Sequence, residues 1–571
     1  MGIEFASYPF VATRFAAVVP PLTDGVDAKR RPVVVVGGGP VGMVTALGLA
    51  NHGVPVVLIE ADDTVCFGSR AICISRRSLE IIERLGAIEG FKRIGLPWTG
   101  GRSFYRDVEV LKFSMPQDEN QKHAPMVNLA QYHIEQILLN QVETRSDLIE
   151  VRWQTKVTAI EQDELGARLS LSTPDGTYQL DADWIVAADG GRSFIRESMG
   201  LALTGTSYEG RYVIVDILLE SARPAERLAY FDPACNRGST VLVHKQPDNV
   251  WRIDYQLQDG EDPDEAVKPE NVMPRVESLL AMMGETSPWK PIWITIYKAN
   301  ALTLEKYRHG RVLFAGDAAH LVPIFGVRGA NSGIDDADNL AWKLAYVIKG
   351  LAADELLDSY SSERVAAAHE NLSYGTKSTE FMAPPSFAFD LMRRAVLSLA
   401  VKHESVRSLI NPRQTSAIAY TTSPHNAARA QTAAFGAGPA PGAVLQECPL
   451  TIVTDSTAVL GHITDLVSRE FVLFVFSEFG VVQDDFELLL ESLESAGVPL
   501  QIVAISRNPV TSGKPRAAFD HTSRLFPMYG AESGTGYLVR PDGHVMARWK
   551  NVRPDEVAEA IFQALDPRST Q

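Results

Sequence analysis

The chain has 571 residues, which predicts roughly two to four domains, and its 45% hydrophobic and 22% charged residues exclude a disordered protein. It carries 70 acidic and 54 basic residues, a formal net charge of −16, and this sign argues against binding to nucleic acid or to an anionic membrane. Its four cysteines match neither a disulfide framework nor a zinc pattern, so we expect free thiols, no metal site and a cytoplasmic protein.

The N-terminal residues 1–29 lack the basic segment and the long apolar run of a signal peptide, so we expect an extension that lies on the surface. Residues 32–59 contain no Asp, Glu, Lys or Arg and are long enough to cross a bilayer. Glycine and proline interrupt this run at residues 37–40 and again at 53–55. Strand, helix and strand therefore fit these residues better than a membrane span.

Two apolar runs, at residues 33–36 and 54–59, flank a helical stretch at residues 43–51, which predicts a βαβ unit. The turn before this helix reads Gly37-Gly38-Gly39-Pro40-Val41-Gly42, a GxGxxG motif. In such a motif the first glycine allows a tight bend, the second lets the backbone approach a pyrophosphate, and the third lets helix and strand pack closely.

Glu60 follows the second strand of this unit, where a carboxylate accepts hydrogen bonds from a ribose. The constellation predicts dinucleotide binding. A Gly-rich turn without a ligand is the alternative, and it leaves the position of Glu60 unexplained.

The chain next alternates helices and strands. We expect helices at residues 78–85 and 130–144 and strands at residues 151–162, 168–172, 178–181 and 184–188. Residues 205–300 then change character, with Trp, Tyr, Arg, His and Asp scattered through their strands, as in a sheet that covers a ligand on one face. We expect these strands at residues 212–216, 239–244 and 249–256.

Alternation along the last of these strands puts Arg252 and Asp254 on one face and Tyr255 on the other. Which face meets the ligand stays open at this point. We also consider Arg252 as a ligand for a substrate carboxylate.

A buried strand at residues 312–315 leads into Asp317, a Gly-rich loop and a helix at about residues 333–350. Asp317 can accept a hydrogen bond from a ribityl hydroxyl. Gly329, Ala330 and Asn331 bring backbone N–H groups to a helix start, which suits the pyrimidine edge of an isoalloxazine and favours FAD over NAD. A surface turn with an N-cap Asp is the alternative.

Residues 423–441 are polar and rich in Ala, Pro and Gly, which predicts a linker. The residues beyond it have their own pattern of elements. We expect strands at residues 471–476 and 500–506, helices at 484–496 and 555–565, and a hairpin of residues 536–539 and 545–549.

Three segments in this order resemble the fingerprints of the single-component FAD-dependent aromatic hydroxylases, the group A flavoprotein monooxygenases. They are GGGPVG with Glu60, Asp189-Gly190-Gly191-Arg192-Ser193-x-x-Arg196, and the segment that begins with Gly316-Asp317. The resemblance covers about residues 30–370. The tail, with Gly536-Tyr-Leu-Val-Arg540-Pro-Asp-Gly, resembles the phenol hydroxylase and 3-hydroxyphenylpropionate hydroxylase branch, whose thioredoxin-like domain here lacks the CxxC pair.

The resemblance implies an α/β fold with a Rossmann-like FAD-binding domain, an inserted mixed β-sheet domain for the substrate, and a C-terminal thioredoxin-like domain. The expected divisions are an N-terminal extension (1–29), the FAD-binding domain with connecting helices (30–205 and 301–422), the substrate domain (206–300), the linker (423–441) and the thioredoxin-like domain (442–571).

The resemblance also implies roles for single residues. For FAD they are Gly39, Val41, Gly42, Glu60, Ala61, Arg70, Gln131, Asp189, Asp317, Gly329, Ala330 and Asn331. Asp189, Arg192 and Arg196 belong to a segment implicated in both FAD and NAD(P)H binding, and an Asp that forms ion pairs with its own arginines is the alternative. Candidates for handling the substrate proton are Tyr212, Asp216, His244, Arg252, Asp254 and Tyr255, and His320 either assists Asp317 or caps its loop.

The function that the resemblance implies is hydroxylation of a phenolic substrate, ortho or para to its hydroxyl, with NADH or NADPH and dioxygen and through a flavin hydroperoxide. The alternatives are a flavin enzyme that epoxidises, dehydrogenates or reduces an aromatic or polyketide substrate, and a flavin-binding protein without catalysis. We expect a homodimer, with neither a nucleic-acid nor a membrane partner.

Overall fold

The computed structural model describes residues 4–258, 260–410, 414–427, 435–454, 457–510 and 516–566. Its helices are α1 (Pro40–Asn51), α2 (Arg76–Arg84), α3 (Ile88–Ile94), α4 (Gln131–Glu143), α5 (Phe194–Ser198), α6 (Pro263–Ala266), α7 (Pro269–Met283), α8 (Gly329–Ile348), α9 (Leu356–Met382), α10 (Phe387–Ala400), α11 (Glu404–Arg407), α12 (Asp485–Ser495), α13 (Leu525–Tyr529) and α14 (Pro554–Leu565).

Its strands are β1 (Leu22–Thr23), β2 (Val26–Asp27), β3 (Arg31–Val36), β4 (Val56–Ile59), β5 (Cys73–Ser75), β6 (Leu96–Trp98), β7 (Gly100–Tyr105), β8 (Val108–Ser114), β9 (Met126–Asn128), β10 (Ile149–Arg152), β11 (Lys156–Gln162), β12 (Ala167–Thr173), β13 (Gly176–Ala187), β14 (Thr204–Leu219), β15 (Arg227–Phe231), β16 (Thr240–Lys245), β17 (Val250–Gln256), β18 (Trp289–Thr303), β19 (Arg308–His309), β20 (Val312–Phe314), β21 (His320–Leu321), β22 (Pro449–Val453), β23 (Ala458–His462), β24 (Phe471–Ser477), β25 (Leu500–Ser506), β26 (Ala517–Phe519), β27 (Gly536–Val539) and β28 (Val545–Trp549).

The first sheet is built on parallel strands. Strands β10, β4, β3 and β13 lie side by side and parallel, and β20 pairs with β13 beyond them. The β-branched run at residues 33–36 is buried, as expected of a strand covered on both faces. Helices α1 and α8 pack so closely at Gly48 that a Cβ added there would lie 2.7 Å from the Cβ of Ala341. The predicted Rossmann-like fold is confirmed.

Two predicted strand boundaries in this sheet were wrong. The strands expected at residues 178–181 and 184–188 form one strand, β13, because half-exposed Asp181 continues the alternation with buried residues. The single strand expected at residues 151–162 divides into β10 and β11, since Gln154 adopts a φ of 51° and turns the chain.

The second sheet has the order β21-β18-β14-β17-β16-β15-β7-β8, and its neighbours are antiparallel except for β15 and β7. The strands predicted at residues 212–216, 239–244 and 249–256 are confirmed as parts of β14, β16 and β17. One face of the sheet packs against the apolar side of α7, where Val215 and Ile253 join Val276 in one cluster. Strands β7 and β8 come from outside the predicted substrate domain, and the domain boundaries stay a prediction.

The third sheet belongs to the C-terminal part of the chain. Strands β24, β25 and β26 are parallel, and the antiparallel hairpin β27–β28 lies beside β24. Helices α12 and α14 cover one face together with Trp342 and Tyr346 of α8, and α13 covers the other face. This arrangement is thioredoxin-like, as predicted, and its Cys448 is a buried free thiol.

The N-terminal extension lies over the surface with exposed and half-buried residues in alternation, and β1 and β2 join the first sheet. Three of its aromatic side chains reach inward, which the sequence did not predict. Phe15 stacks on Trp153 with ring centroids 4.5 Å apart, Phe10 contacts Tyr132 at 4.9 Å, and Tyr8 reaches the second sheet. The extension is therefore fastened to the body of the protein.

In the described part of the chain, no helix is both long and apolar enough to cross a membrane. Within the same residues, no group of three His, Cys, Asp or Glu side chains could hold a metal ion. Part of the predicted linker, residues 428–434, lies outside the described residues, and Ser423 and His425 before it are buried.

Candidate active site

The GxGxxG turn has the geometry of a phosphate-binding loop. Gly37 has a φ of 108°, and a Cβ there would lie 2.4 Å from the carbonyl oxygen of Ala188. A Cβ at Gly42 would lie 1.9 Å from the carbonyl oxygen of Gly37, whereas a Cβ at Gly39 would meet nothing within 4 Å. Helix α1 begins after Gly39 without a side-chain cap, so its first N–H groups are available to an anion.

Glu60 is held at the end of β4 by the loop that it faces. Its Oε2 accepts a hydrogen bond from the Gly38 N–H at 2.6 Å, and its Oε1 accepts one from the Asp62 N–H at 2.9 Å. Burial raises the pKa of its carboxyl above the ordinary value. Each oxygen keeps a second lone pair, so the carboxylate can still receive a ribose hydroxyl beside the exposed Ala61.

Gln131 positions a second loop at the same edge. Its Oε1 accepts from the Ala71 N–H at 3.0 Å, and its Nε2 donates to Glu135 at 2.8 Å. The carboxylate of Glu135 in turn accepts from the Cys66 N–H at 2.6 Å. The loop that ends in the exposed Arg70 is therefore fixed from both sides.

Asp317 is exposed between buried Gly316 and Ala318, so its carboxylate faces open space. Desolvation raises the pKa of Asp317, while nearby His320 and Arg70 act in the opposite direction. Positions 190 and 329 border open space too, because a Cβ added at Gly190 or Gly329 would meet nothing within 4 Å.

Val41 brings the GxGxxG turn and the Asp317 segment together. Its side chain lies against Gly316 and Gly333, where an added Cβ would come within 2.9 Å and 2.5 Å of Val41 Cγ2. The two loops are thus neighbours, with open space beside Gly39 and Gly329. An elongated cofactor with a phosphate middle and a hydrogen-bonding head fits this cradle.

Asn331 has a fixed side chain at the start of α8. Its Oδ1 accepts from the Ser75 N–H at 2.8 Å and from Ser78 Oγ at 2.7 Å, while its Nδ2 donates to the Val327 carbonyl at 2.8 Å. Both polar atoms of the Asn331 side chain are thus occupied by hydrogen bonds that join the start of α8 to β5 and α2. What remains for a ligand is the backbone N–H of the first turn, which includes Ala330.

Asp189 caps a short helix. Its Oδ2 accepts from the Ile195 N–H at 3.1 Å, while its Oδ1 is buried and has no partner among the described residues. Among the described residues no ion pair joins Asp189 to Arg192 or Arg196, because Arg196 donates to the Ala318 carbonyl at 3.0 Å and to the Gly191 carbonyl at 2.7 Å. Arg196 thereby ties this segment to the Asp317 turn. Burial raises the pKa of Asp189, and the nearby charge of Arg196 opposes that rise.

His320 has a structural partner. Its Nε2 lies 2.7 Å from Asp336, which also accepts from Arg364 at 2.6 Å and from the Gly316 N–H at 2.9 Å. Burial alone would raise the pKa of Asp336, but His320 and Arg364 lower it to about 2. His320 therefore anchors the turn that carries Asp317, which corresponds to the loop-capping alternative.

The cross-strand register of the second sheet aligns five side chains in one row, in which four are buried and Trp293 is half-buried. The paired positions are Arg227 with His244, His244 with Arg252, Arg252 with Asp216, and Asp216 with Trp293. The row lies on the face that turns away from α7. It adjoins the cofactor loops, because β21, which follows the Asp317 turn, pairs with β18.

The Arg252 guanidinium is engaged through Nε and Nη1. Its Nε donates to Asp254 at 2.8 Å, and its Nη1 donates to the Arg70 carbonyl at 2.7 Å and to the Ser69 carbonyl. Burial raises the pKa of Asp254, and Arg252 opposes that rise. Because Nε and Nη1 already join the sheet to the cofactor loop, a carboxylate bound by Arg252 would have only Nη2 available, and this predicted role stays a prediction.

Asp216 shares the row and is completely buried. Its Oδ1 accepts from Ser69 Oγ at 2.6 Å, and its Oδ2 accepts from the Tyr8 hydroxyl. Burial raises the pKa of Asp216. Sequence reasoning missed Tyr8, because no local pattern connects a residue of the N-terminal extension with the middle of the chain.

The predicted catalytic residues separate into two groups. Tyr212, His244, Arg252 and Asp254 share the face toward the cofactor loops, and Tyr212 packs edge-on against Phe325 with ring centroids 5.3 Å apart. The Tyr212 hydroxyl and His244 Nδ1 are buried and have no partner among the described residues.

Tyr255 is not brought together with these residues. It lies on the opposite face against α7, with the Arg275 guanidinium 5.1 Å from its ring centroid.

A sequence profile described as "FAD binding domain" matches residues 30–374, more than half of the chain. The 3-(3-hydroxy-phenyl)propionate/3-hydroxycinnamic acid hydroxylase of Klebsiella pneumoniae (strain 342) is 31% identical over 363 residues, 62% of this chain and 62% of that protein. The protein of the same name from Mycolicibacterium smegmatis is 30% identical over 352 residues, 62% of this chain and 61% of that protein. The match thus spans less than two thirds of the length of these relatives.

Among solved structures, p-nitrophenol 4-monooxygenase PnpA from Pseudomonas putida DLL-E4 has 27% identity and a TM-score of 0.58, over 68% of this chain and 99% of that chain. The flavin-dependent monooxygenase PieE, in complex with FAD and substrate, has a TM-score of 0.75 at 21% identity, over 94% of this chain and 100% of that chain. The second likeness extends through the C-terminal part and shows the fold.

Proposed function

The chain belongs to the FAD binding domain family, and we propose that it is an FAD-dependent monooxygenase that hydroxylates a phenolic aromatic compound with NADH or NADPH and dioxygen. The observation that carries the proposal is the open cleft beside Gly39 and Gly329, which adjoins a buried sheet face with Tyr212 among apolar side chains. The names of the curated relatives support hydroxylation as the reaction.

We propose that the edges of the cleft hold FAD along its length. The chemistry that FAD supplies when bound is electron transfer from the nicotinamide and activation of dioxygen. The N–H groups after Gly39 would bind the pyrophosphate, and Glu60 would bind the adenosine ribose. Asp317 would bind the ribityl chain, and the start of α8 would face the ring. Further contacts would come from Val41, Gly42, Ala61, Arg70, Gln131, Asp189, Ala330 and Asn331.

The residues of the sheet face would orient the phenol. Tyr212 offers a polar atom among the apolar side chains of Phe231, Leu242 and Phe325. Burial raises the pKa of Tyr212, so its hydroxyl stays protonated and hydrogen-bonds the phenol oxygen as the ring is attacked. The apolar lining excludes water from the reacting atoms.

The experiment is a substrate screen with FAD-loaded protein. Hydroxylated benzoates, phenylpropanoates, biphenyls and pyridines are tested for stimulated oxidation of NADH or NADPH, and the products are identified by mass. We expect one class to stimulate oxidation and to gain one oxygen atom. Stimulation with an epoxidised, dehydrogenated or reduced product would replace the proposal by another flavin chemistry, and FAD binding without any stimulation would favour a protein without catalysis.

A variant tests the orienting role of Tyr212. Tyr212→Phe removes one buried hydrogen bond to the substrate, so we expect kcat/KM to fall by about 10- to 100-fold. The matched control is Tyr230→Phe, because Tyr230 lies on the face toward α7 and stacks on Phe104 at 4.8 Å. Equal activity of both variants would remove Tyr212 from the mechanism.

We propose further that the protein is cytoplasmic and a homodimer. The four free cysteines support a reducing compartment. A stripe of exposed apolar residues along α10, at Phe387, Leu391 and Leu399, supports contact with a second copy of the chain. Light scattering of the wild type and of Leu391→Glu tests this: a wild-type monomer, or a variant that stays dimeric, contradicts the α10 contact.

A further inference from the structure

Residues 6–15 of the N-terminal extension cross the surface without forming a helix or a strand, and we call them the N-terminal strap. A chain of this length reaches about 35 Å at most, so it can connect separate parts of the cofactor cleft. At one end, the Ala6 N–H donates to the Pro291 carbonyl of β18 at 2.8 Å. At the other end, Phe15 contacts the residues that follow β4. The strap therefore joins the second sheet to the first.

The Phe15 end of the strap holds the segment that follows Glu60. The Phe15 N–H donates to the Asp63 carbonyl at 2.7 Å, and the Phe15 carbonyl accepts from Gln154 Nε2 at 2.7 Å. Its ring stacks on Trp153. Gln154 and Trp153 follow β10, which pairs with β4, so all of these contacts lie beside the end of β4. Phe15 thus fixes the surroundings of the residue that we propose as the ribose ligand.

The Tyr8 end acts on the loop that ends in Arg70. The Tyr8 hydroxyl donates to Asp216 Oδ2, while Asp216 Oδ1 accepts from Ser69 Oγ at 2.6 Å. Ser69 is fully buried and directly precedes exposed Arg70. Arg70 in turn lies near enough to Asp317 for its charge to oppose the rise in the pKa of that carboxyl. Tyr8 is thus linked through two buried groups to the loop that faces Asp317.

Between these ends, Phe10 fastens the strap to α4. Its ring centroid lies 4.9 Å from that of Tyr132 and 5.4 Å from that of His133. Tyr132 directly follows Gln131, whose side chain accepts from the Ala71 N–H. Each of the three aromatic side chains of the strap is therefore anchored next to a residue that we propose as an FAD contact.

The anchors fix the connection between β4 and β5 at two places, residues 60–63 and residues 69–71. A loop loses conformational entropy when it becomes ordered around a ligand, and contacts that hold it in the bound arrangement beforehand remove part of that cost. The family profile begins at residue 30, so the strap lies outside the matched domain and adds to it.

We infer that Tyr8 and Phe15 are positioning residues for the cofactor: the N-terminal strap holds the β4–β5 connection in its FAD-binding arrangement and slows the release of FAD. The inference rests on the proposed function, from which it takes the FAD contacts, and it assigns a role to a segment outside the matched domain. Phe15 acts at the adenosine end, and Tyr8 acts on the loop that ends in Arg70.

The test measures FAD release from the loaded protein, so it is independent of turnover. The holoenzyme is diluted, and the rising fluorescence of free flavin gives the dissociation rate. A protein without residues 1–15 keeps β1, β2 and the buried ion pair of Asp27 with Arg152. We expect this protein to release FAD about 10-fold faster or more, and Tyr8→Phe and Phe15→Ala to release it about 3- to 10-fold faster, the value of about one hydrogen bond. A shortened protein that releases FAD at the wild-type rate would overturn the inference.

Two controls separate positioning from stability. Val11→Ala changes a strap residue whose side chain is 93% exposed, and its release rate should equal that of the wild type. Leu279→Ala removes a buried side chain of α7 on the face away from the cofactor, so it should lower the melting temperature without changing the release rate. If Leu279→Ala accelerates release as much as the strap variants do, the effect is a general loss of stability and the inference is refuted.

A spectroscopic readout distinguishes the two ends of the strap. Asp317 and Arg70 lie at the proposed ring end of the cleft, so Tyr8→Phe should change the visible circular dichroism of the bound flavin. Phe15→Ala acts at the adenosine end and should leave that spectrum as in the wild type. A wild-type spectrum of Tyr8→Phe would overturn the role assigned to Tyr8.

The outcomes separate this inference from the proposed function. If the wild type takes up no FAD, both fail. If it hydroxylates a phenol while the shortened protein retains FAD as long as the wild type, only the present inference fails. If FAD release depends on the strap and no phenol is hydroxylated, the inference stands and the proposed function fails.

Discussion

The C-terminal domain is joined to the cofactor domain by a buried ionic cluster around Glu363 of α9. One carboxylate oxygen of Glu363 accepts from Arg540 Nη1 at 2.7 Å, and the other accepts from Lys343 Nζ at 2.7 Å and from Asn339 Nδ2 at 2.7 Å. Arg540 also pairs with Asp542. Burial alone would raise the pKa of Glu363, but Arg540 and Lys343 hold it well below its ordinary value.

Glu363→Gln keeps the shape of this side chain and removes its charge, so one carboxylate, Asp542, would remain beside the cations of Lys343 and Arg540. Breaking a buried ion pair on one side costs about 3–5 kcal/mol, because the remaining charge has lost its compensation. Since Arg540 begins the turn of the β27–β28 hairpin, we expect the variant to open the contact between the C-terminal domain and α8.

The assay is native hydrogen exchange of the β27–β28 hairpin. A loss of 3–5 kcal/mol raises the population of the open form by about two to four orders of magnitude, and exchange should accelerate accordingly. Burial lowers the pKa of Lys343 to about 8 although Glu363 opposes this shift, so without Glu363 the lysine releases its proton at a lower pH, and the stability deficit of the variant should narrow as the pH rises toward 8. Arg553→Met, which removes an exposed ion pair in the same domain, is the control. Exchange as slow as in the wild type would refute the reasoning.

Three further predictions concern single contacts. Tyr8→Phe removes a donor from buried Asp216, which should lower the free energy of unfolding by about 1–3 kcal/mol and expose the N-terminal extension to limited proteolysis; an unchanged digestion pattern would contradict this. Glu60→Gln should weaken FAD binding by about 10-fold or more in fluorescence titrations. Unchanged affinity would show that Glu60 holds only the Gly38 N–H and does not contact the ribose. Burial raises the pKa of Glu447 from 4.5 to about 7, so the stability that its proton contributes is present below pH 4.5 and lost as the pH rises through 7. In urea unfolding, Glu447→Gln should therefore have the same free energy of unfolding as the wild type near pH 4.5 and a free energy about 2–3 kcal/mol higher at pH 8. A difference between the two proteins that does not change with pH would show that the ionisation of Glu447 is not its cause.

The parts of the fold that the sequence predicted are those with local causes. The Gly-rich turn, Glu60 and the flanking strands follow from neighbouring residues, and the structure explains each glycine by a close approach or by open space. The helix at Asp317 starts at Gly329 and not at residue 333, because a Gly-containing first turn carries little helix propensity to detect.

The parts that were missed depend on contacts between distant segments. The row from Arg227 to Trp293 exists only through the register of β15, β16, β17, β14 and β18, and no single strand contains it. Arg227 was not singled out because an arginine at the start of an apolar strand is typical of a solvated edge. Its burial results from β7, which pairs with β15 from more than a hundred residues earlier in the chain.

The face of the sheet that meets the ligand was left open, although the sequence contains a signal that decides it. The helix after the strand of Arg252 repeats apolar residues at helical spacing, with Val272, Val276 and Leu279 buried in the structure. An amphipathic helix next to a sheet covers the apolar face, which here is the face of Ile253. The opposite, polar face is then left for the ligand. The apolar pattern of the helix therefore predicts on which side of the sheet the cofactor lies.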